Sequence, residues 1–138
     1  KFYEGVTGKK LDEKGMLDQS ARVHNLQRIM CLMMGYGQRE DDIPPYRAIG
    51  PVTEEEYLSR QERYDKQLQE NLKVDPTKMT LAEKRELTRK YRYEQYNKVI
   101  DAAYKRRGWN NKGIPTIERL KELGIDLPEL VEIVKSYQ

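Results

Sequence analysis

The chain holds a single cysteine and a single histidine. That scarcity excludes an internal disulfide. It also excludes a zinc or iron–sulfur centre built from this segment alone, because either needs several convergent Cys or His ligands. A Ser-His-Asp set needs more than His24 supplies, and Cys31 has no well-placed base to activate it. No apolar run approaches the length of a bilayer span, and no signal peptide is visible. There is no glycine-rich phosphate loop, since Gly35 and Gly37 precede a charged loop and do not join a strand to a helix. Charge of one sign is missing too: 26 basic and 23 acidic residues leave +3, with both signs in every segment. This is a solvated helical surface, not a phosphate-binding stripe, and it argues against nucleic acid as a partner. Lys105, Arg106 and Arg107 beside Trp109 are a weak signal for a nucleic-acid clamp, because a helix C-terminus attracts cations anyway. A cytoplasmic, membrane-free setting is expected.

What is abundant is charge and tyrosine. Charged residues make up 36% and hydrophobic residues 37% of the chain, and tyrosine supplies ten of its twelve aromatics. Mean hydropathy is −0.96. Tyrosine packs its ring while its hydroxyl stays wet or finds a partner. The composition therefore predicts a thin core and surfaces that lean on something else. The sequence opens on Lys1 inside a structured-looking stretch, so it reads as a piece of a longer polypeptide, with an artificial boundary or a processed N-terminus as the alternative.

The pattern predicts an all-α fold and a single domain over 1–138. The first helix covers roughly Asp12 to Met34, with Leu26, Ile29, Met30 and Met33 on one face. Gly35 and Gly37 end it. A connector from Gln38 to Val52 holds Pro44, Pro45 and Pro51, which favour an extended path. A second helix starts at the Thr53/Glu56 capping-box pattern and stops at Asp75-Pro76. A third repeats the device with Thr80 and Glu83 and runs to about Arg106. These two read as a long antiparallel hairpin. After a glycine-punctuated loop come two short C-terminal helices, one from Thr116 to Gly124 and one capped by Asp126 with Pro128 in its first turn.

Cys31 reads as a small buried apolar residue, and His24 as a packed or hydrogen-bonded one. Asp41 and Asp42 are a candidate metal or acid–base pair. Neighbours on an extended segment point apart, so ion pairing with Arg39 and Arg47 is the blander alternative. Met30, Met33 and Met34 read as core, or else as the lining of an apolar substrate channel.

Three stretches resemble the C-terminal part of the aldehyde:ferredoxin oxidoreductase family. Arg22-Val23-His24-Asn25-Leu26-Gln27-Arg28 is similar to its Arg-x-x-Asn-Leu-x-Arg helix. Arg39-Glu40-Asp41-Asp42-Ile43-Pro44-Pro45-Tyr46-Arg47 resembles the Arg-x-Asp-Asp-x-x-Pro-x-Arg segment that follows. Arg107-Gly108-Trp109, then Gly113-Ile114-Pro115-Thr116, then Leu120 and Leu123-Gly124-Ile125 resemble its closing stretch. Asn110 stands where the family commonly has Asp, and His24 where it often has Trp. The Thr53–Arg106 hairpin is longer than in short aldehyde oxidoreductases and looks more like members resembling the catalytic subunit of class II benzoyl-CoA reductase.

The resemblance implies a parent enzyme with tungsten held by two pterins and a [4Fe–4S] cluster. Such an enzyme oxidises an aldehyde to a carboxylate and passes electrons to ferredoxin or an iron–sulfur subunit. Reductive dearomatisation of benzoyl-CoA is the alternative within the family. The cluster cysteines, the Asp-x-x-Gly-Leu-Cys contact and the acid–base residues have no counterpart in this chain. Catalytic and metal-ligating residues are therefore expected to be none. What remains is a helical cover domain, in which Arg39, Asp41, Asp42 and Arg47 dock on the upstream domains or approach the cofactor. Homodimerisation is a further partner expectation. A stand-alone helical interaction module is the reading from a different class.

Overall fold

The computed structural model describes residues 2–138. It is all-α: among the described residues there are seven α-helices, three short 3-10 turns and no strand, with one isolated bridge between Trp109 and Pro115. The chain divides into two compact units. One contains the residues up to Asp42 together with Ala102–Gln138, and the other is Ile43–Asp101.

The first unit begins with α1 (Phe2–Thr7), which buries no side chain of its own. The next helix, α2 (Glu13–Met33), starts where Asp12 accepts the Gly15 N–H at 2.7 Å, an ordinary N-cap. It packs on α6 (Ile117–Leu123) and α7 (Pro128–Ser136). Ile29, Leu32, Ile114, Leu120 and Val134 are the fully buried core of this unit. Thr116 caps α6, and Gly124 ends it in the left-handed conformation at φ 64°. The α7 start differs from expectation: Leu127 occupies the cap position with no side-chain hydrogen bond, and Pro128 opens the helix directly. Two longer-range bonds tie these elements together: Tyr137 Oη donates to the Leu32 carbonyl at 2.6 Å, and Arg22 Nε to the Leu123 carbonyl at 2.7 Å.

The face that α2 buries is not the one its apolar spacing predicts. Asn25, Arg28, Ile29 and Leu32 are buried, whereas Leu26, Met30 and Met33 are exposed. His24 is exposed, and Cys31 is half-buried instead of sealed in a core. Two buried polar side chains outcompete the methionines for the interior because each finds hydrogen-bond partners there.

In the second unit the expected single helix from Thr53 is two, α3 (Glu54–Leu58) and α4 (Gln61–Leu72). The Ser59 hydroxyl donates to the Glu56 carbonyl at 2.8 Å, and Arg60 leaves the helical region at φ −139°. Such local side-chain bonds compete with the helical ladder. Thr53 does cap α3, but Glu56 reaches back to the Val52 N–H at 2.8 Å, one residue earlier than a capping box places it. The Thr80/Glu83 pair forms both reciprocal bonds and starts α5 (Leu81–Arg107), within which the boundary between units falls. The core here is aromatic and polar. Tyr57 and Tyr64 stack at 5.0 Å, Leu68 is buried, and Asp65 takes the Tyr57 hydroxyl at 2.8 Å and the buried Lys84 ammonium at 3.2 Å. Burial, and then the Asp65 carboxylate, push the Tyr57 phenol far up.

Leu120→Ala should cost about 3 kcal/mol, since it empties a fully buried site. Met33→Ala should cost less than about 0.5 kcal/mol. Urea unfolding of both variants checks the assignment, and the reverse ranking would mean the buried face is the methionine face.

Candidate functional site

Three separated segments of the first unit converge on one guanidinium. Arg28 faces inward from α2 with 8% of its side chain exposed. Its Nε donates to the Gly113 carbonyl at 2.9 Å, and its two terminal nitrogens fork onto the two oxygens of Asp42. The Tyr104 hydroxyl, from the end of α5, donates to Asp42 as well. Arg28 also lies over the Trp109 ring, 4.4 Å from its centroid. Trp109 in turn donates its indole N–H to Asn25 at 2.9 Å, one turn before Arg28 on α2. The fork matches a carboxylate bidentately, which makes it the stronger kind of ion pair.

This geometry sets two titrations. Burial pushes the Asp42 carboxyl up, but hydrogen bonds from Arg28 and Tyr104 outweigh it and hold the group below the usual carboxylate range. Burial first, and then the hydrogen bond to Asp42, push the Tyr104 phenol up to about 12.

Gly113 is fixed by the same cluster. Its φ is +83°, and a Cβ there would stand 2.8 Å from both Arg28 Nη2 and Tyr104 Oη. Only glycine takes that turn and leaves room for the pair. Asn110 builds the rest of the turn. Its side-chain oxygen accepts the N–H groups of Lys112 and Ile114 at 2.9 and 3.0 Å. Those bonds need an acceptor oxygen, which Asn supplies as Asp would.

The four connector residues do not form one cluster. Residues Arg39–Asp42 are a 3-10 turn, not an extended segment. Asp41 caps it by accepting the Gly37 and Gln38 N–H groups at 2.6 and 3.0 Å. Asp42 points away to Arg28, so the acidic neighbours do separate, yet the arginine partner lies on α2 and not in the connector. Arg39 donates to the Asn111 carbonyl at 3.1 Å and sits 5.6 Å from the Tyr104 ring centroid. Arg47 belongs to the other unit, where it pairs with Glu56. Met30, Met33 and Met34 are 51%, 64% and 61% exposed. With Met16, Val23 and Leu26 they form an apolar stripe along α2, on the side away from its buried face.

Among the described residues no group of three His, Cys, Asp or Glu side chains could hold a metal ion. Every polar partner in the Arg28 cluster is engaged within the chain. The arrangement is thus a structural lock on the buried side of α2, with an exposed apolar face on the other side. Arg28, Asn25, Tyr104 and Trp109 are its working residues. A polar residue recurring in step with Ile29 and Leu32 was the available signal for Asn25 and Arg28.

Comparison with known sequences identifies the family. Residues 1–125 match the family described as aldehyde ferredoxin oxidoreductase, domains 2 & 3, so the chain belongs to the aldehyde ferredoxin oxidoreductase family. No curated protein matches the chain significantly, and neither does any solved structure.

Asp42→Asn should destabilise the chain by about 2–3 kcal/mol at pH 7, because it leaves Arg28 with a neutral partner in a confined site. The folded carboxyl titrates below its ordinary value. Its contribution is therefore complete above about pH 4 and is lost as pH falls through the lower folded value. The gap between wild type and variant should be widest near neutrality and close in acid. A gap independent of pH would assign the effect to shape, not charge.

Proposed function

We propose that this chain is the helical C-terminal domain of a tungsten-bispterin, [4Fe–4S] oxidoreductase, and that it covers the cofactor-bearing part of the same polypeptide. The observation that carries the reading is the apolar stripe of α2 in a chain matched to domains 2 & 3 of this family. Contiguous exposed apolar side chains mark surfaces meant to be covered. Phe2 and Val6 of α1 are also almost fully exposed.

In this reading Met30, Met33 and Met34 face the upstream domains and line the apolar approach to the reaction centre, where thioethers adapt to varied shapes. Arg39, Asp41 and Asp42 hold the edge of the connector through their internal bonds, and Arg47 presents its exposed side chain for docking. The residues of this chain do not fit the role of ligands to tungsten or to an iron–sulfur cluster: no cluster of suitable side chains exists among the described residues, and Cys31 stands alone. The chain's contribution is to exclude water and shape the route to the metal. Aldehyde oxidation to a carboxylate, with ferredoxin as electron acceptor, in a cytoplasmic homodimer, is the whole-protein activity this reading carries. The length of the Thr53–Arg106 stretch, greater than in short aldehyde oxidoreductases, supports dearomatisation of benzoyl-CoA as the second reading.

The test uses the complete polypeptide that contains this chain. Tungsten and iron content, and electron transfer to a dye with aldehyde or with benzoyl-CoA, are measured for wild type and for Met30→Asp/Met33→Asp. Wild type should carry tungsten and turn over one of the two substrates, while the variant should lose most of its tungsten and activity with the helical content of the protein retained. Full tungsten and full activity in the variant would sink the cover role.

A further inference from the structure

A cleft of about 260 Å3 lies in the Ile43–Asp101 unit, at the break between α3 and α4. Three arginines line it, Arg47, Arg60 and Arg92, against one acidic residue, Glu56. That carboxylate is already committed. One oxygen takes Arg47 and the other the Val52 N–H at 2.8 Å.

The remaining two arginines are placed differently. Arg92 is braced: its Nε and one terminal nitrogen reach Gln67 at 3.4 and 3.2 Å, and its guanidinium lies 5.1 Å from the Tyr64 ring centroid. Its other terminal nitrogen is turned toward Gly50, where a Cβ would stand 3.7 Å away. Gly50 has φ +148°, so the wall there is bare backbone. Arg60 forms no ion pair and no side-chain hydrogen bond within the described residues.

Arg60 and Arg92 thus line one polar hollow. Its single carboxylate, Glu56, already takes Arg47 and the Val52 N–H and also feels the Arg60 charge. Arg92 is half-buried and held in place. The free terminal nitrogen of the braced Arg92 and the uncommitted fork of Arg60 both complement a tetrahedral oxyanion, and bringing two guanidinium groups together favours a doubly charged one. The hollow is smaller than the roughly 300–1,000 Å3 of sites that enclose a whole small molecule, so it accommodates a charged head group and leaves the remainder outside. We propose that this cleft binds a phosphate or diphosphate group, free or carried on a small molecule, through Arg60 and Arg92. The proposal does not depend on which oxidoreduction the parent protein performs.

The test is calorimetric titration of the complete protein with inorganic phosphate, pyrophosphate, ADP and, as a carboxylate control, glutarate. Pyrophosphate or ADP should bind saturably, weaken with added salt, and lose roughly tenfold in affinity in Arg60→Ala and in Arg92→Gln. Lys98→Ala, on an exposed position of α5, should bind as wild type. ADP binding tighter than pyrophosphate would mark an ester-linked group, and the reverse a free anion. Absence of saturable binding, equal binding of glutarate, or unchanged affinity in Arg60→Ala would overturn the proposal. Arg60 is exposed, so that variant remains informative even if Arg92→Gln unfolds.

Discussion

A guanidinium with 8% of its side chain exposed must be neutralised where it lies, and that requirement organises the first unit. Arg28 takes Asp42, which obliges the chain after α2 to turn back at Arg39–Asp42. It takes the Gly113 carbonyl, which obliges the closing loop to pass through a left-handed glycine. Its flat face takes Trp109, whose indole N–H then needs Asn25. Remove the charge pair and each of these segments loses the partner that fixes its path. Buried pairs of this kind add little net stability against an apolar replacement, but leaving one member alone is costly. The pair is therefore better understood as specifying how three segments meet than as a source of stability.

That role explains what was readable in the residues and what was not. Local chemistry was legible: Thr116 and Gly124 bound their helix where expected, and Thr80/Glu83 closes a reciprocal cap. The convergence of the three family-like stretches was legible only as a coincidence of motifs. Nothing in their spacing says that Arg28 rather than Arg39 or Arg47 takes Asp42. The buried face of α2 was misread because apolar periodicity weighs Met30 and Met33 above Asn25 and Arg28. In the folded chain the polar pair wins, since its hydrogen bonds are met inside, and the methionines are left on the other side of the helix. The break at Ser59–Arg60 was hidden for a similar reason: a single serine hydroxyl bonding to Glu56 is enough to end a helix that charge pattern alone would continue.

The arginines of the second unit show how a chain so poor in apolar residues holds its loops. Arg85 donates to the Val52 carbonyl, while Arg89 donates to those of Tyr46 and Gly50 and lies 3.8 Å from the Tyr46 ring centroid. Their stems cover surface and their heads satisfy carbonyls that a proline-bound segment cannot pair in a ladder. Lys84 does the equivalent work for Asp65 in the tyrosine core. Once those groups are committed, Arg47, Arg60 and Arg92 still line one polar cleft with a single carboxylate, Glu56, among them. A charge balanced along the sequence is therefore grouped locally by the fold. The same logic of commitment applies to α2: the buried core is built from Ile29 and Leu32 of its inner face, so its apolar stripe of methionines lies outside this chain's own core.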